Sequence, residues 1–169
     1  MPVLEPISPA NAMLFKDVRL TALLDSPKAF GGTYATESQL SDADWVARAG
    51  KWSSGRSAGY LAIENGRACG IAAAFLDEHD PLKAHLISMW VAPTHRRLGL
   101  GRALIDAIYS WAAGRESHLL QCMVIDSNNG VIEFYKRNGF SMTGHTETYP
   151  NDPTLIEYEM SRPVLLTTA

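Results

Sequence analysis

The residues best placed to do chemistry are Arg96-Arg97-Leu98-Gly99-Leu100-Gly101, with Arg102 next. A strand-like apolar run precedes them and a helix-like run follows. A helix start exposes unpaired backbone N–H groups and the positive end of the macrodipole. Two glycines there remove side chains that would block a phosphate, and arginine can fork onto phosphate oxygens. The stretch is therefore expected to cradle a pyrophosphate. Two common cradles are excluded. A Walker A loop ends in Gly-Lys-Ser or Gly-Lys-Thr, and neither tripeptide occurs. A dinucleotide fingerprint needs a third small residue three positions past Gly101, where Leu104 stands.

The 169 residues suffice for a single domain over 1–169 with a real core. A net charge of −3, with no basic tract, argues against a nucleic-acid partner. The two cysteines, Cys69 and Cys122, lie in apolar strand-like runs and are expected as buried free thiols of a reducing compartment. No Cys/His cluster has zinc spacing, so no metal is expected. No signal-peptide pattern and no membrane-length apolar run is present, so the expected setting is cytoplasmic, with no membrane partner.

These residues need a scaffold, and the pattern supplies one. Val3 to Ile7 is a short strand; a helix capped by Ser8 and opened by Pro9 runs to Leu24 and stops at Ser26-Pro27. Lys28 to Thr36, with Gly31-Gly32, is expected as a loop, and Ser41 to Ala49 as a helix with Asp44 completing a near capping box. Asn65-Gly66 between Tyr60–Glu64 and Arg67–Leu76 signals a type I′ hairpin, and Lys83 to Val91 is the next strand. Gly99 to Ala113 is a helix with Leu100, Leu104, Ile108 and Trp111 on one face. His118 to Ile125 follows as a buried strand, parallel to the one before the helix. A helix over Ser127–Asn138 stops at Gly139, and strands at Phe140–Thr146 and Leu155–Met160 finish the chain.

Arg96, Gly99 and Gly101 fit the pattern Gln/Arg-x-x-Gly-x-Gly/Ala, preceded by Val91-Ala92-Pro93. Asn128-x-x-Val131-x-x-x-Tyr135-x-x-x-Gly139-Phe140 follows downstream. Together with the element order, these resemble the GNAT N-acetyltransferases, bacterial members included, across most of the chain. Arg97 departs from the pattern, since relatives often carry glycine there. The resemblance implies an α/β (α+β) GNAT fold. That is a mixed, mostly antiparallel sheet of about seven strands, with helices on both faces and a splayed parallel pair.

It also implies roles. Acetyl-CoA is the acyl donor and an amine the acceptor, with a homodimer as a frequent assembly. Amides from Arg97 through Leu98, Gly99, Leu100 and Gly101 to Arg102 would hold the pyrophosphate, with charge from Arg96 and Arg102. Backbone groups of Met89 and Val91 would pair with the pantetheine arm, and an amide at Trp90 or Val91 would face the oxyanion. Asn128 would bond the arm as well as cap its helix.

Tyr135 would meet the leaving thiolate. An amine of pKa ~10.4 is neutral in only about one molecule in a few thousand at pH 7, so a base is useful. Relatives often carry a glutamate on the strand before the cradle, whereas His85-Leu86-Ile87-Ser88-Met89 has no acid. Glu37, His85 and His145 are the candidate bases. Phe30, Tyr34, Trp90 and Tyr149-Pro150 are candidates to line the acceptor pocket, and the acidic surplus favours a cationic amine. The alternative to an enzyme is a non-catalytic acyl-CoA sensor, motivated by that missing acid.

Overall fold

The computed structural model describes residues 1–165. Seven strands form one sheet in the order β1-β2-β3-β4-β5-β7-β6. These are β1 (Val3–Pro6), β2 (Ser57–Glu64), β3 (Arg67–Leu76), β4 (Lys83–Val91), β5 (Leu119–Ile125), β6 (Ser141–Thr148) and β7 (Ile156–Pro163). Every neighbouring pair is antiparallel except β4–β5, which is parallel. The helices are α1 (Ala12–Asp25), α2 (Tyr34–Glu37), α3 (Asp42–Lys51), α4 (Leu100–Gly114) and α5 (Asn129–Arg137). This is the expected mixed sheet with its parallel pair.

Local chemistry accounts for the element ends. Ser41 accepts from the Asp44 amide, and the Asp44 carboxylate accepts from the Ser41 amide, so the capping box at α3 is complete. Asn65 and Gly66 take φ of 52° and 76°, as a type I′ hairpin requires. Two expectations need adjustment. Pro9–Asn11 forms a 3-10 turn, so α1 begins at Ala12. The expected loop over Lys28–Thr36 contains the first turn of α2, because the Thr33 hydroxyl caps the Thr36 amide.

Two cores sandwich the sheet. On one face Leu104, Ile105 and Ile108 of α4 pack with Leu86, Leu120 and Met160. On the other, Phe15, Val18 and Trp45 of α1 and α3 pack with Leu61, Ile71 and Trp90. The Phe15 and Trp45 rings meet edge to face at 5.3 Å. Each such side chain, once buried, contributes about 2 kcal/mol. Cys69 and Cys122 are buried free thiols, as expected.

The functional feature of the sheet is where β4 and β5 part. They pair only at Lys83–Leu119, Ala84–Leu120 and His85–Gln121. Beyond that rung both strands continue unpaired with each other. The pairing of β3 with β4 shifts register between Ile71 and Ala73, and Ser88 takes φ +56°. This bulge adds one residue to β4. Leu86 and Met89 therefore both face α4, while Ser88 and Trp90 face α1. The bulge bends β4 away from β5 and opens the sheet at its centre.

Candidate active site

At the mouth of this opening the chain turns into α4. Arg97 (φ +62°) and Gly99 (φ +83°) are both left-handed. This explains why glycine suits position 97: an L-residue there carries a cost of about 1–2 kcal/mol. Every amide from Arg96 to Arg102 lacks a backbone or side-chain acceptor among the described residues. Ala103 is the first to find one, Gly99 O at 3.1 Å. A row of free amides at the start of a helix is an anion-binding concavity. Gly101 serves a second purpose. A Cβ there would lie 2.9 Å from the Phe134 ring, so its absence lets α4 and α5 close on each other. The residues therefore fit the diphosphate of an acyl-CoA.

The Arg96 side chain is used differently from the expectation. Its Nε donates to Val91 O at 2.9 Å and its Nη2 to Asp25 Oδ2 at 2.8 Å. The same Asp25 oxygen accepts from the Trp90 indole at 2.9 Å. Hydrogen bonds from Ser26, Trp90 and Arg96 hold the Asp25 carboxyl below its ordinary value. Arg96 thus ties the cradle to the end of α1 instead of reaching for phosphate. Arg102 is exposed, with Asp106 at 3.9 Å.

The Ala92 amide donates to Cys69 O. Alternation along an antiparallel ladder then turns the amide and carbonyl of Val91 away from β3, into the opening, and those of Trp90 toward β3. Arg96 occupies that carbonyl, and the Val91 amide remains directed at the gap.

Tyr135 stands on α5 against β5, 6% exposed, with its ring 5.2 Å from Phe140 and 5.4 Å from Phe134. Burial, and then the neighbouring Cys122, raise its phenol well above the ordinary value of 10.0. It therefore stays protonated and able to donate. Its hydroxyl bonds to no described residue. Asn128 caps α5, its Oδ1 accepting from the Val131 amide at 3.4 Å, while its Nδ2 donates to no described residue.

The candidate bases are already engaged. Glu37 is 3% exposed. Its Oε1 accepts from Arg19 Nε at 3.0 Å and Arg48 Nη1 at 2.9 Å, and its Oε2 from Arg19 Nη2 at 3.1 Å. Gly32 makes room for this clamp, since a Cβ there would collide with Glu37 Oε2. Arg19 Nη1 donates onward to Ser88 Oγ at 2.9 Å, so the clamp braces the bulge in β4. His85 lies at the closed end of the opening, stacked on Phe75 and 2.7 Å from Asp77. His145 is exposed on β6, 3.0 Å from Glu147.

The expected acceptor aromatics are mostly structural. Phe30 is buried beneath the Arg19 guanidinium, 4.7 Å from its ring centre. Tyr149 is buried, and its hydroxyl donates to Phe30 O at 2.8 Å. Asn151 Nδ2 reaches Gly31 O at 3.0 Å. These bonds latch the β6–β7 loop onto the segment after α1. Trp90 is buried and only Tyr34 is exposed. Sequence reasoning gave no role to Asp25, Ser88, Gln121 or Glu159. The alternating Glu157-x-Glu159 in a strand was the one available signal.

Among the described residues no group of three or more His, Cys, Asp or Glu is placed to hold a metal ion. No helix of the described residues is long and apolar enough to cross a membrane.

Residues 20–140 match a family model described as acetyltransferase (GNAT) family. A stretch of 69 residues is 32% identical to the N-terminal acetyltransferase B complex catalytic subunit naa20 of Schizosaccharomyces pombe. It covers 41% of this chain and 38% of that one. A stretch of 57 residues is 39% identical to an uncharacterized N-acetyltransferase of Methanocaldococcus jannaschii, covering 34% of this chain and 25% of that one. The matches thus span well under half the length of either relative. The fold is shared with a GNAT superfamily phosphinothricin acetyltransferase from Sinorhizobium meliloti, solved in complex with acetyl-CoA. The TM-score is 0.78 and the identity 18%, over 96% of this chain and 88% of that one.

Proposed function

Since the chain belongs to the acetyltransferase (GNAT) family, we propose that it moves an acetyl group from acetyl-CoA to a primary amine by direct attack in a ternary complex. The observation that carries this reading is the row of unpaired amides from Arg96 to Arg102 at the mouth of the β4–β5 opening. In this reading those amides and the α4 dipole hold the pyrophosphate. The outward backbone of Met89, with Asn128 Nδ2, holds the pantetheine arm.

The amine nitrogen attacks the thioester carbonyl, the C–S bond breaks, and the nitrogen gives up a proton. The Val91 amide points where the carbonyl oxygen gathers charge. Tyr135 donates a hydrogen bond to the leaving thiolate. A thiol has a pKa of ~8.5 and a free tyrosine ~10, so the phenol stabilises the thiolate by hydrogen bonding without full transfer of its proton. Glu37 and His85 are assigned structural roles, because each is held by a charged partner. The amine proton then leaves to solvent.

The test is thiol release from acetyl-CoA against a panel of amines. Amine-dependent release is expected, with kcat lowered about a hundredfold in Tyr135→Phe and KM for acetyl-CoA little changed. Acetyl-CoA binding without release for any amine would favour the sensor, and an unchanged kcat would remove Tyr135 from the mechanism.

A further inference from the structure

Ser88 holds a backbone conformation that serine rarely takes. Its φ is +56°, at the bulge where β4 bends away from β5. An L-residue enters this left-handed region at a cost, and glycine would form the same bulge without it. Strain retained by a polar residue beside a site points to a side chain in use.

The Ser88 side chain is half-buried and directed to the α1 face. A hydroxyl carries one proton and two lone pairs. Arg19 Nη1 donates to one lone pair at 2.9 Å. Arg19 is itself fixed, since Glu37 accepts from its Nε and Nη2. The second lone pair and the hydroxyl proton have no partner among the described residues. Neighbouring polar groups on this face are spent: the Trp90 indole on Asp25, and the Glu37 oxygens on Arg19 and Arg48.

The two faces of the opening offer different things. Met89 and Tyr135 pack with the core under α4, so the cradle, the pantetheine path and the phenol share that side. With the acyl-CoA there, a nucleophile reaches the thioester carbonyl from the α1 side. Ser88 stands on that side, three residues before Val91 in β4. Three residues of strand span at most ~10 Å, and the bulge shortens the path. A hydrogen bond from the Val91 amide, the carbonyl bond, the reacting pair of atoms and one more hydrogen bond together reach roughly 10 Å. Ser88 Oγ is thus within reach of the attacking nitrogen while the Val91 amide holds the carbonyl oxygen.

We infer that Ser88 is a catalytic residue that orients the acceptor amine. Its free lone pair accepts one N–H, which turns the nitrogen lone pair toward the thioester carbon. The inference rests on the proposed N-acetyl transfer. As the N–C bond forms and the C–S bond breaks, the nitrogen's proton passes to solvent. The hydroxyl stays neutral, because the Arg19 guanidinium on its other lone pair disfavours a second proton there. Ser88 therefore sets geometry and is not the base.

The experiment compares the unaltered protein with Ser88→Ala and Ser88→Gly. Thiol release gives kcat and KM for n-butylamine and for the fastest amine of the panel, and calorimetry gives the affinity for acetyl-CoA. n-Butylamine has a single polar atom, so what is lost reports on its nitrogen. The expected kcat/KM for the amine falls about 10- to 100-fold in both variants. Kd for acetyl-CoA and the shape of the pH profile stay unchanged. A side chain that only braces the bulge gives another pattern: acetyl-CoA binding weakens with turnover in Ser88→Ala, while the relaxed Ser88→Gly keeps its activity. That pattern, or an unchanged kcat/KM in both variants, overturns the role of Ser88 and leaves N-acetyl transfer standing. Acetyl-CoA binding without release by the unaltered protein for any amine overturns the transfer and the role of Ser88 together.

Discussion

Replacing Glu37 with glutamine separates a clamp from a base. Glutamine keeps the shape but offers one acceptor oxygen, and it turns an NH2 group toward a guanidinium. Three hydrogen bonds are at stake, from Arg19 Nε, Arg19 Nη2 and Arg48 Nη1. The Arg19 side chain is 13% exposed and that of Arg48 39%, so Arg19 loses its counter-charge in a nearly dry site while Arg48 can turn to water. Removing one partner of a buried pair costs about 3–5 kcal/mol. The accessible Arg48 places this case near the lower end, about 3 kcal/mol. For a domain of this size 1 kcal/mol moves Tm by about 2–4 °C, so a fall of about 6–12 °C is expected. The assay is thermal unfolding followed by circular dichroism at fixed pH and salt. A Tm within about 2 °C of the parent, together with a large loss of kcat, would refute the clamp and restore Glu37 as the base.

Two further outcomes follow from backbone and charge. Gly99→Ala should lose about 1–2 kcal/mol in denaturant unfolding, because φ is +83° and no atom lies within 4 Å of the added Cβ, so the cost is conformational. KM for acetyl-CoA should rise with it, and an unchanged unfolding midpoint would contradict the left-handed cradle. The Asp77 carboxyl is held at about 2, first by its hydrogen bond with His85 and then by the His79 amide. An unfolded aspartate titrates at ~3.9, so this contribution is complete above about pH 4 and is lost as pH falls toward 2. Asp77→Asn should flatten that part of the Tm–pH curve, and an unaltered acid slope would rule the pair out as its source.

Elements fixed by near neighbours were legible in the sequence. Ser41 with Asp44, Asn65-Gly66, and Gly139 at φ +89° each act through contacts a few residues apart. The cradle was legible because its glycines and the following helix are contiguous. What was not legible depends on distant partners. Nothing near Ser88 announces the bulge that opens the sheet, which shows only in the pairing of β4 with β3. Glu37 looked like a free acid because Arg19 and Arg48 are 18 and 11 residues away. Arg96 looked like a phosphate ligand because Asp25 is 71 residues distant. Phe30 and Tyr149 looked like pocket walls, and burial turned them into a latch.

The most direct measurement is backbone amide hydrogen exchange with and without acetyl-CoA. The amides from Arg97 to Arg102 have no acceptor among the described residues, so they should exchange freely in the unliganded protein and become protected on binding, together with Val91. Protection confined to another surface, such as the basic groove of Arg48, Lys51 and Arg56, would contradict the placement of the acyl-CoA in the β4–β5 opening.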